Sequence, residues 1–214
     1  MNPLLIFDCD GTLVDSEPLC SLAWSQELSL HGITYSSDEL LSLYKGWKFK
    51  TIQAEVEDKH NYALPQDFES TYRERLKQLF EEQLQAIPEV ANALAQLPHA
   101  KCVASSGPKQ KILQSLTLTG LITHFKDRLF SAYDVGSWKP EPDLFLCAAE
   151  QMCAQPEQCI VIEDSTVGAE AAHRAGMQAL LYDPDNSVRV DAAWRATKFQ
   201  CMTKLPQLIQ SLAP

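Results

Sequence analysis

The sequence contains no apolar run approaching the roughly 20 residues of a membrane-spanning helix. Its apolar start, Leu4 to Phe7, is too short for a secretory signal and runs straight into Asp8. It has no CxxC pair. The seven cysteines (Cys9, Cys20, Cys102, Cys147, Cys153, Cys159 and Cys201) are odd in number, and several sit inside apolar runs. That argues against a disulfide framework and for reduced, structural thiols in a cytoplasmic setting. No His or Cys pair has zinc-ligand spacing. Positive charge is scarce: 18 lysines and arginines stand against 28 acids, for a net charge of -10. Such a chain repels phosphate backbones, so no nucleic acid and no membrane is expected as a partner. An anionic small molecule still fits where lysines cluster at one cleft. There is no internal repeat and no low-complexity segment.

What is present is an ordinary globular mixture, 45% hydrophobic and 21% charged, able to bury a core. At 214 residues the chain exceeds the usual domain of roughly 100–200 residues, so it reads as one large domain or a core with an insert. Leu4 to Phe7 is a continuous apolar run that stops at acids, which suits a buried parallel strand. From about Asp15 to Gln85 the pattern is helical, with almost no strand signal. One helix starts near Pro18 and stops before Gly32. Ser36 with Glu39 forms a capping box opening a second toward Tyr44; Gly46 interrupts, and Thr51 to Lys59 resumes. Phe68, Tyr72, Leu76, Leu79 and Phe80 recur at helical spacing and predict a long amphipathic helix over Asp67 to Glu82.

Beyond residue 85, helices and strands alternate. Pro88 to Leu97 reads as helix, Cys102 to Ala104 as strand, and Pro108 opens a further helix. Asp143 to Met152 reads as helix and Cys159 to Ile162 as buried strand. A helix to Ala175 then ends at a left-handed Gly176, followed by a strand, Gln178 to Leu181. The expected architecture is α/β: a Rossmann-like parallel sheet core, residues 1–14 and 86–214, with an all-helical cap domain inserted at 15–85.

Sheets of this kind hold ligands at the carboxyl ends of their strands, near a switch point. The residues just after three strands are Asp8-Cys9-Asp10-Gly11-Thr12, Ser105-Ser106-Gly107 and Glu163-Asp164-Ser165, and Lys139 falls between the second and third. Two carboxylates one residue apart repel each other unless a cation separates them, and Glu163 and Asp164 add to the acidity. A hard divalent ion with oxygen ligands is the natural neutraliser, magnesium being the common choice. Each residue also has a plainer reading. Aspartates at strand ends cap turns, Lys139 is a solvated lysine, and Glu163 supports its neighbours without touching metal. Ser105 and Ser106 are N-caps of the next helix, and the free amides of that helix start would let them cap and bind phosphate together. The five histidines show no pattern that assigns them a role.

These segments resemble the haloacid dehalogenase-like superfamily, in its branch with a helical cap inserted after the first strand. The resemblance covers nearly the whole chain. Asp8-x-Asp10-Gly11-Thr12-Leu13-Val14-Asp15-Ser16 is similar to the first family motif, Val103-Ala104-Ser105 to the second, Lys139-Pro140 to the third and Ile162-Glu163-Asp164-Ser165 to the fourth. The resemblance implies a magnesium-dependent phosphatase acting on a small phosphorylated metabolite. In it Asp8 attacks phosphorus and forms an aspartyl-phosphate, and Asp10 protonates the departing oxygen and later takes a proton from water. Asp8, Asp164, the backbone carbonyl of Asp10 and Glu163 (directly or through water) hold the magnesium. Lys139 offsets negative charge, and Ser105 with the backbone amides of Cys9 and Ser106 binds the phosphoryl oxygens.

In the cap, Tyr44-Lys45-Gly46-Trp47-Lys48-Phe49-Lys50 gathers three lysines around a glycine and an aromatic. It is either a substrate-reading patch formed by Lys45, Gly46, Trp47 and Lys48, or a solvated turn with Trp47 packed into the cap core. In similar proteins this loop faces the catalytic aspartates. Together with Trp138-Lys139-Pro140 it resembles the 6-phosphogluconate phosphatase-like members, which implies a sugar or sugar-acid phosphate as substrate. A β-phosphoglucomutase-like phosphomutase shares the architecture but carries a histidine in the first cap helix, where this chain has Cys20 and Trp24, with His31 only at the far end. A phosphonate hydrolase needs a Schiff-base lysine, for which Lys45 and Lys48 are candidates. A dehalogenase needs neither Asp10 nor the acidic fourth motif. A non-catalytic binding module has no use for the full set of Asp8, Asp10, Ser105, Lys139 and Asp164. A monomer or weak dimer is expected.

Overall fold

The structure is a computed structural model and describes residues 2–212. In chain order the first elements are β1 (Leu4–Phe7), α1 (Glu17–Leu30), α2 (Ser37–Tyr44), α3 (Phe49–His60), α4 (Phe68–Gln83), α5 (Val90–Ala95), β2 (Lys101–Ser105) and α6 (Lys109–Leu118). They are followed by α7 (Ile122–Phe125), β3 (Leu129–Ser131), α8 (Ala132–Val135), α9 (Asp143–Gln151), β4 (Cys159–Glu163), α10 (Thr166–Arg174), β5 (Gln178–Tyr182), β6 (Ala196–Phe199) and α11 (Leu205–Leu212). The chain divides into two units: one runs to Val14 and resumes at Ala86, and the other is Asp15–Gln85.

The first unit is built on a six-stranded sheet in the order β3-β2-β1-β4-β5-β6, with every pair parallel. Parallel strands need crossover connections, which place helices on the sheet faces and bury the strands on both sides. β1, β2 and β4 are accordingly buried along their whole length. Alternation divides their side chains between two layers. Leu4, Ile6, Cys102, Ala104, Cys159, Val161 and Ala179 pack in one cluster with Leu144, Phe145 and Ala148 of α9 and Ala171 and Ala172 of α10. Phe7, of opposite parity, meets Phe125 edge to face at 5.7 Å. The strand order reverses between β1 and β4. Phe7 pairs with Ile162, and the Asp8 amide donates to the Ile162 carbonyl at 2.8 Å, so Asp8 and Glu163 leave the sheet side by side.

The second unit is all helical. The Ser36–Glu39 capping box forms as expected: the Glu39 amide donates to Ser36 Oγ at 3.1 Å, and Glu39 Oε2 accepts from the Ser36 amide at 2.7 Å. Its core is aromatic, with Trp24 stacked 4.8 Å from Phe49 and lying 5.3 Å from Phe68 and 5.2 Å from Tyr72. Glu27, buried on α1, is held by Arg75 of α4.

Two expectations change. The helix expected over Pro88 to Leu97 is only Val90–Ala95, because Glu89 adopts a left-handed conformation (φ 65°) and delays the helical start. β3 and β6 and the short helices α7 and α8 were not anticipated. Three or four residues are too few to show a period, and β6 exposes Thr197 and Lys198 at the sheet edge.

Gly168, in the first turn of α10, lies against the Glu163 side chain: a Cβ there would sit 2.0 Å from the Glu163 carboxyl carbon. Helix propensity alone predicts that Gly168→Ala stabilises by up to about 1 kcal/mol. The packing predicts the opposite sign, a loss of about 1–3 kcal/mol in urea unfolding, because the carboxylate it displaces is held by several donors. A stabilised variant would contradict this arrangement.

Candidate active site

The turn after β1 closes on itself. The Leu13 and Val14 amides both donate to the Cys9 carbonyl, at 2.9 and 3.1 Å, and the Gly11 amide donates to the Val14 carbonyl at 2.9 Å. Gly11 is required twice over. Its φ of +78° suits glycine, and a Cβ there would lie 2.1 Å from Asp164 Oδ2. Thr12 Oγ1 donates to Asp164 Oδ1 at 3.5 Å, which ties this turn to the end of β4.

Lys139 is buried, its side chain 3% exposed, and it bridges two strands' carboxylates. Its ammonium donates to Asp8 Oδ1 at 2.5 Å and to Glu163 Oε1 at 2.7 Å. The surface-lysine reading is thereby excluded. Glu163 Oε2 accepts from the Asp164 amide at 2.7 Å, the Ser165 amide at 2.6 Å and the Ser165 hydroxyl at 2.8 Å. Burial pushes the Asp8 carboxyl up to about 7; Lys139 opposes that rise, and Glu163 and Asp10 add to it. Burial works against the charge of Lys139, but Asp8 and Glu163 outweigh it and hold the ammonium above the ordinary lysine value.

Asp8, Glu163 and Asp164 can each present an oxygen within 4.8 Å of the other two. Three carboxylates gather where one buried lysine meets two of them, so acids outnumber cations in the cluster. Its donors are all oxygen, the chemistry of a hard divalent cation rather than of zinc. The residues fit such an ion. Asp10 lies apart from that group, and its Oδ1 accepts from Lys111 Nζ at 2.7 Å. Lys111 was not anticipated, since its partner is 101 residues away and a lysine in a first helical turn carries no motif.

The two serines do not cap α6. The N-cap is Pro108, in extended conformation, and Ser105 Oγ instead accepts from the Gly107 amide at 3.0 Å, three residues short of the helix. Ser105 is buried, and Ser131 at the end of β3 donates to the Gly107 carbonyl at 2.7 Å, fixing the turn from the neighbouring strand. It is Ser165 that caps a helix, accepting from the Gly168 amide at the start of α10. Cys9 is buried; burial first, then Asp10 and Asp8, push its thiol well above the ordinary range, so its share in the site is its backbone.

Within the helical unit, Lys45, Gly46, Trp47 and Lys48 are exposed in the turn between α2 and α3, and Gly46 has φ +77°. Trp47 is 48% exposed and meets Tyr44 edge to face at 5.4 Å, so it is not part of that unit's core. Lys50 is committed to Glu69, 2.9 Å away.

Fold and site together are those of a hydrolytic enzyme. Within that class the chain belongs to the haloacid dehalogenase-like hydrolases, whose family model matches residues 3–176. It is 36% identical over 207 residues to the 6-phosphogluconate phosphatase of Escherichia coli, covering 95% of this chain and 93% of that protein. It is 30% identical to a fructose-1-phosphate phosphatase of the same organism, over 82% of this chain and 94% of the relative. A conserved haloacid dehalogenase-like protein from Agrobacterium tumefaciens superposes with a TM-score of 0.83 at 29% identity, covering all of both chains. The chain is an enzyme of the phosphatase class. No helix among the described residues is long and apolar enough to cross a membrane, and the seven cysteines are free.

The raised Asp8 carboxyl makes a prediction about metal. Below about pH 7 a proton occupies the oxygens that a cation would use, so lowering the pH from 8 to 6 should weaken magnesium binding about tenfold. Calorimetric titration at the two pH values checks this. An affinity independent of pH would show that no proton competes with the metal at Asp8 in this range.

Proposed function

We propose that the chain is a magnesium-dependent phosphatase that hydrolyses a sugar or sugar-acid phosphate, such as 6-phosphogluconate, through an aspartyl-phosphate on Asp8. The observation that carries this reading is the buried Lys139 bridge, which holds Asp8 at the switch point beside Asp164. The names of the two curated relatives, a 6-phosphogluconate phosphatase and a fructose-1-phosphate phosphatase, support the substrate class.

In this mechanism an Asp8 carboxylate oxygen attacks phosphorus and the ester P–O bond breaks. Asp10 gives its proton to the departing alcohol oxygen, then takes a proton from the water that attacks the aspartyl-phosphate. Inorganic phosphate leaves and Asp8 is restored as carboxylate. Lys139 offsets the charge shared by Asp8 and the phosphoryl group. The Ser105 hydroxyl and the backbone amides of Cys9 and Ser106 bind phosphoryl oxygens, so most of the acceleration comes from positioning and fixed charge. Asp8, Asp164 and the Asp10 carbonyl would hold magnesium, with Glu163 contributing through water, because its own oxygens already accept from Lys139 and Ser165. When bound, that ion supplies positive charge to the phosphoryl oxygens.

Phosphate release from a panel of sugar phosphates, with and without EDTA, tests the reading. Wild type should lose activity in EDTA and regain it with magnesium, and Asp8→Asn should be inactive while still folded by circular dichroism. Turnover by folded Asp8→Asn would overturn the aspartyl-phosphate route.

The exposed Lys45 and Lys48, with Gly46 and Trp47, are proposed to select substrates that carry a second anion. A charge-assisted hydrogen bond is worth roughly 1.5–3 kcal/mol, which is about ten- to a hundredfold in kcat/KM. Lys48→Ala should therefore penalise 6-phosphogluconate by about that factor and a neutral-tailed sugar phosphate far less. Equal losses on both would remove the sugar-acid preference and leave the phosphatase reading standing.

A further inference from the structure

Asp8 and Asp10 each meet a different lysine. Lys139 holds Asp8, and Lys111 lies 2.7 Å from Asp10. Lys111 is the third residue of α6, where a cation opposes the helix dipole by roughly 0.3–1 kcal/mol. The dipole thus gives no reason for a lysine at that position. Its side chain is only 20% exposed and that of Asp10 17%, so the pair is drawn out of water rather than spread over the surface.

Gly107 shows where the lysine stem runs. A Cβ built on it would touch Ser105 Oγ at 3.4 Å, Asp10 Oδ2 at 3.6 Å and Lys111 Cδ at 3.6 Å. The stem thus lies along the Ser105–Gly107 turn, with the ammonium on one oxygen of Asp10 and the other oxygen turned toward Gly107. Both oxygens of the carboxylate are located.

We infer that Lys111 is a positioning residue for Asp10: it holds the carboxylate beside the Ser105–Gly107 turn, available for proton transfer to the leaving oxygen and kept off the neighbouring cation-fitting acids. A short carboxylate two residues from Asp8 would otherwise be drawn to any divalent ion held there. This inference rests on the proposed phosphatase chemistry, in which Asp10 is the proton donor. The ester P–O bond breaks as the Asp10 proton moves to the alcohol oxygen, and Lys111 itself gains and loses no proton.

Leaving-group dependence separates this role from simple phosphate binding. Wild type, Lys111→Met and Lys111→Arg are compared on 2,4-dinitrophenyl phosphate, phenyl phosphate and fructose 1-phosphate, with thermal unfolding measured for each. Dinitrophenolate departs without a proton, whereas phenol and the sugar alcohol need one. In kcat/KM, which reports ester cleavage and not the later hydrolysis common to all three, Lys111→Met should lose about tenfold or more on the latter two and a much smaller factor on the first, and Lys111→Arg should recover most of the loss. Lys111→Gln replaces Lys111→Met if the methionine variant does not fold. Equal losses across the three esters, or no loss on any, overturn the assignment while leaving the phosphatase intact. A wild type that releases phosphate neither from these three nor from 6-phosphogluconate overturns both.

Discussion

The Lys139 bridge between Asp8 and Glu163 is the constraint on which the rest of this site depends. Burying an ion costs several kcal/mol, and removing one partner of a buried pair costs about 3–5 kcal/mol because it strands the other. Burying both carboxylates as anions at these strand ends would be costly without the lysine. Both come to it only because β1 and β4 are neighbours in register, which is where the strand order reverses. The bridge also explains two glycines that would be hard to place otherwise. Gly168 leaves room for the Glu163 carboxylate that grips Lys139, and Gly11 leaves room for Asp164 beside it. Topology, composition at two turns and charge placement answer one electrostatic requirement.

That requirement is incompletely met by the chain itself. Burial first, with Glu163 and Asp10 adding to it, raises the Asp8 carboxyl to about 7 in spite of a lysine in direct contact, so its charged form is left short of solvation. The deficit is what makes a hard cation fit. It also shows how a chain of net charge -10 is compatible with an anionic ester. The overall field repels phosphate, but in the proposed mechanism a fixed ammonium and the backbone amides of Cys9 and Ser106 present the opposite sign at short range. Lys111 extends the same logic to Asp10. The two aspartates differ in exposure and in the lysine that holds them, and this is the kind of environmental difference that lets adjacent carboxylates take separate tasks.

The parts of this arrangement that are local in sequence were legible there. Leu4 to Phe7 ending at Asp8 announced a buried strand and an acidic strand end, and the Ser36–Glu39 capping box announced α2. What depends on distant residues was not. Lys139 was legible only through the resemblance of Lys139-Pro140 to a family motif; by its own context it and a solvated lysine look alike until Asp8 and Glu163, 131 and 24 residues away, close around it. Lys111 was invisible for the same reason. Ser105 and Ser106 misled because a serine pair before a helix usually caps it; here Gly107 intervenes, the hydroxyl turns back to the Gly107 amide, and the helix starts from Pro108. β3 is too short to show a period, yet its Ser131 holds that same turn. The exposure of Trp47 could not be read either, since an aromatic beside a glycine fits a packed turn as well as an open one.

The adjacent acids Glu163 and Asp164 show how finely the strand period divides labour. Glu163 is the last residue of β4 and 1% exposed, so its side chain follows the strand's alternation inward to Lys139. Its second oxygen then accepts the next two backbone amides, which bends the chain out of the sheet and into the Ser165 cap of α10. Asp164, one residue on, is carried by that bend to the opposite side, where it meets Thr12 and the bare face of Gly11. Length matters as well as position. The extra methylene of glutamate reaches a buried ammonium and two amides at once, while the shorter aspartate keeps its oxygens at the turn beside Asp8. Two like charges are thus neighbours in sequence with different partners: Glu163 meets Lys139 and the Ser165 turn, and Asp164 meets Thr12 of the turn after β1.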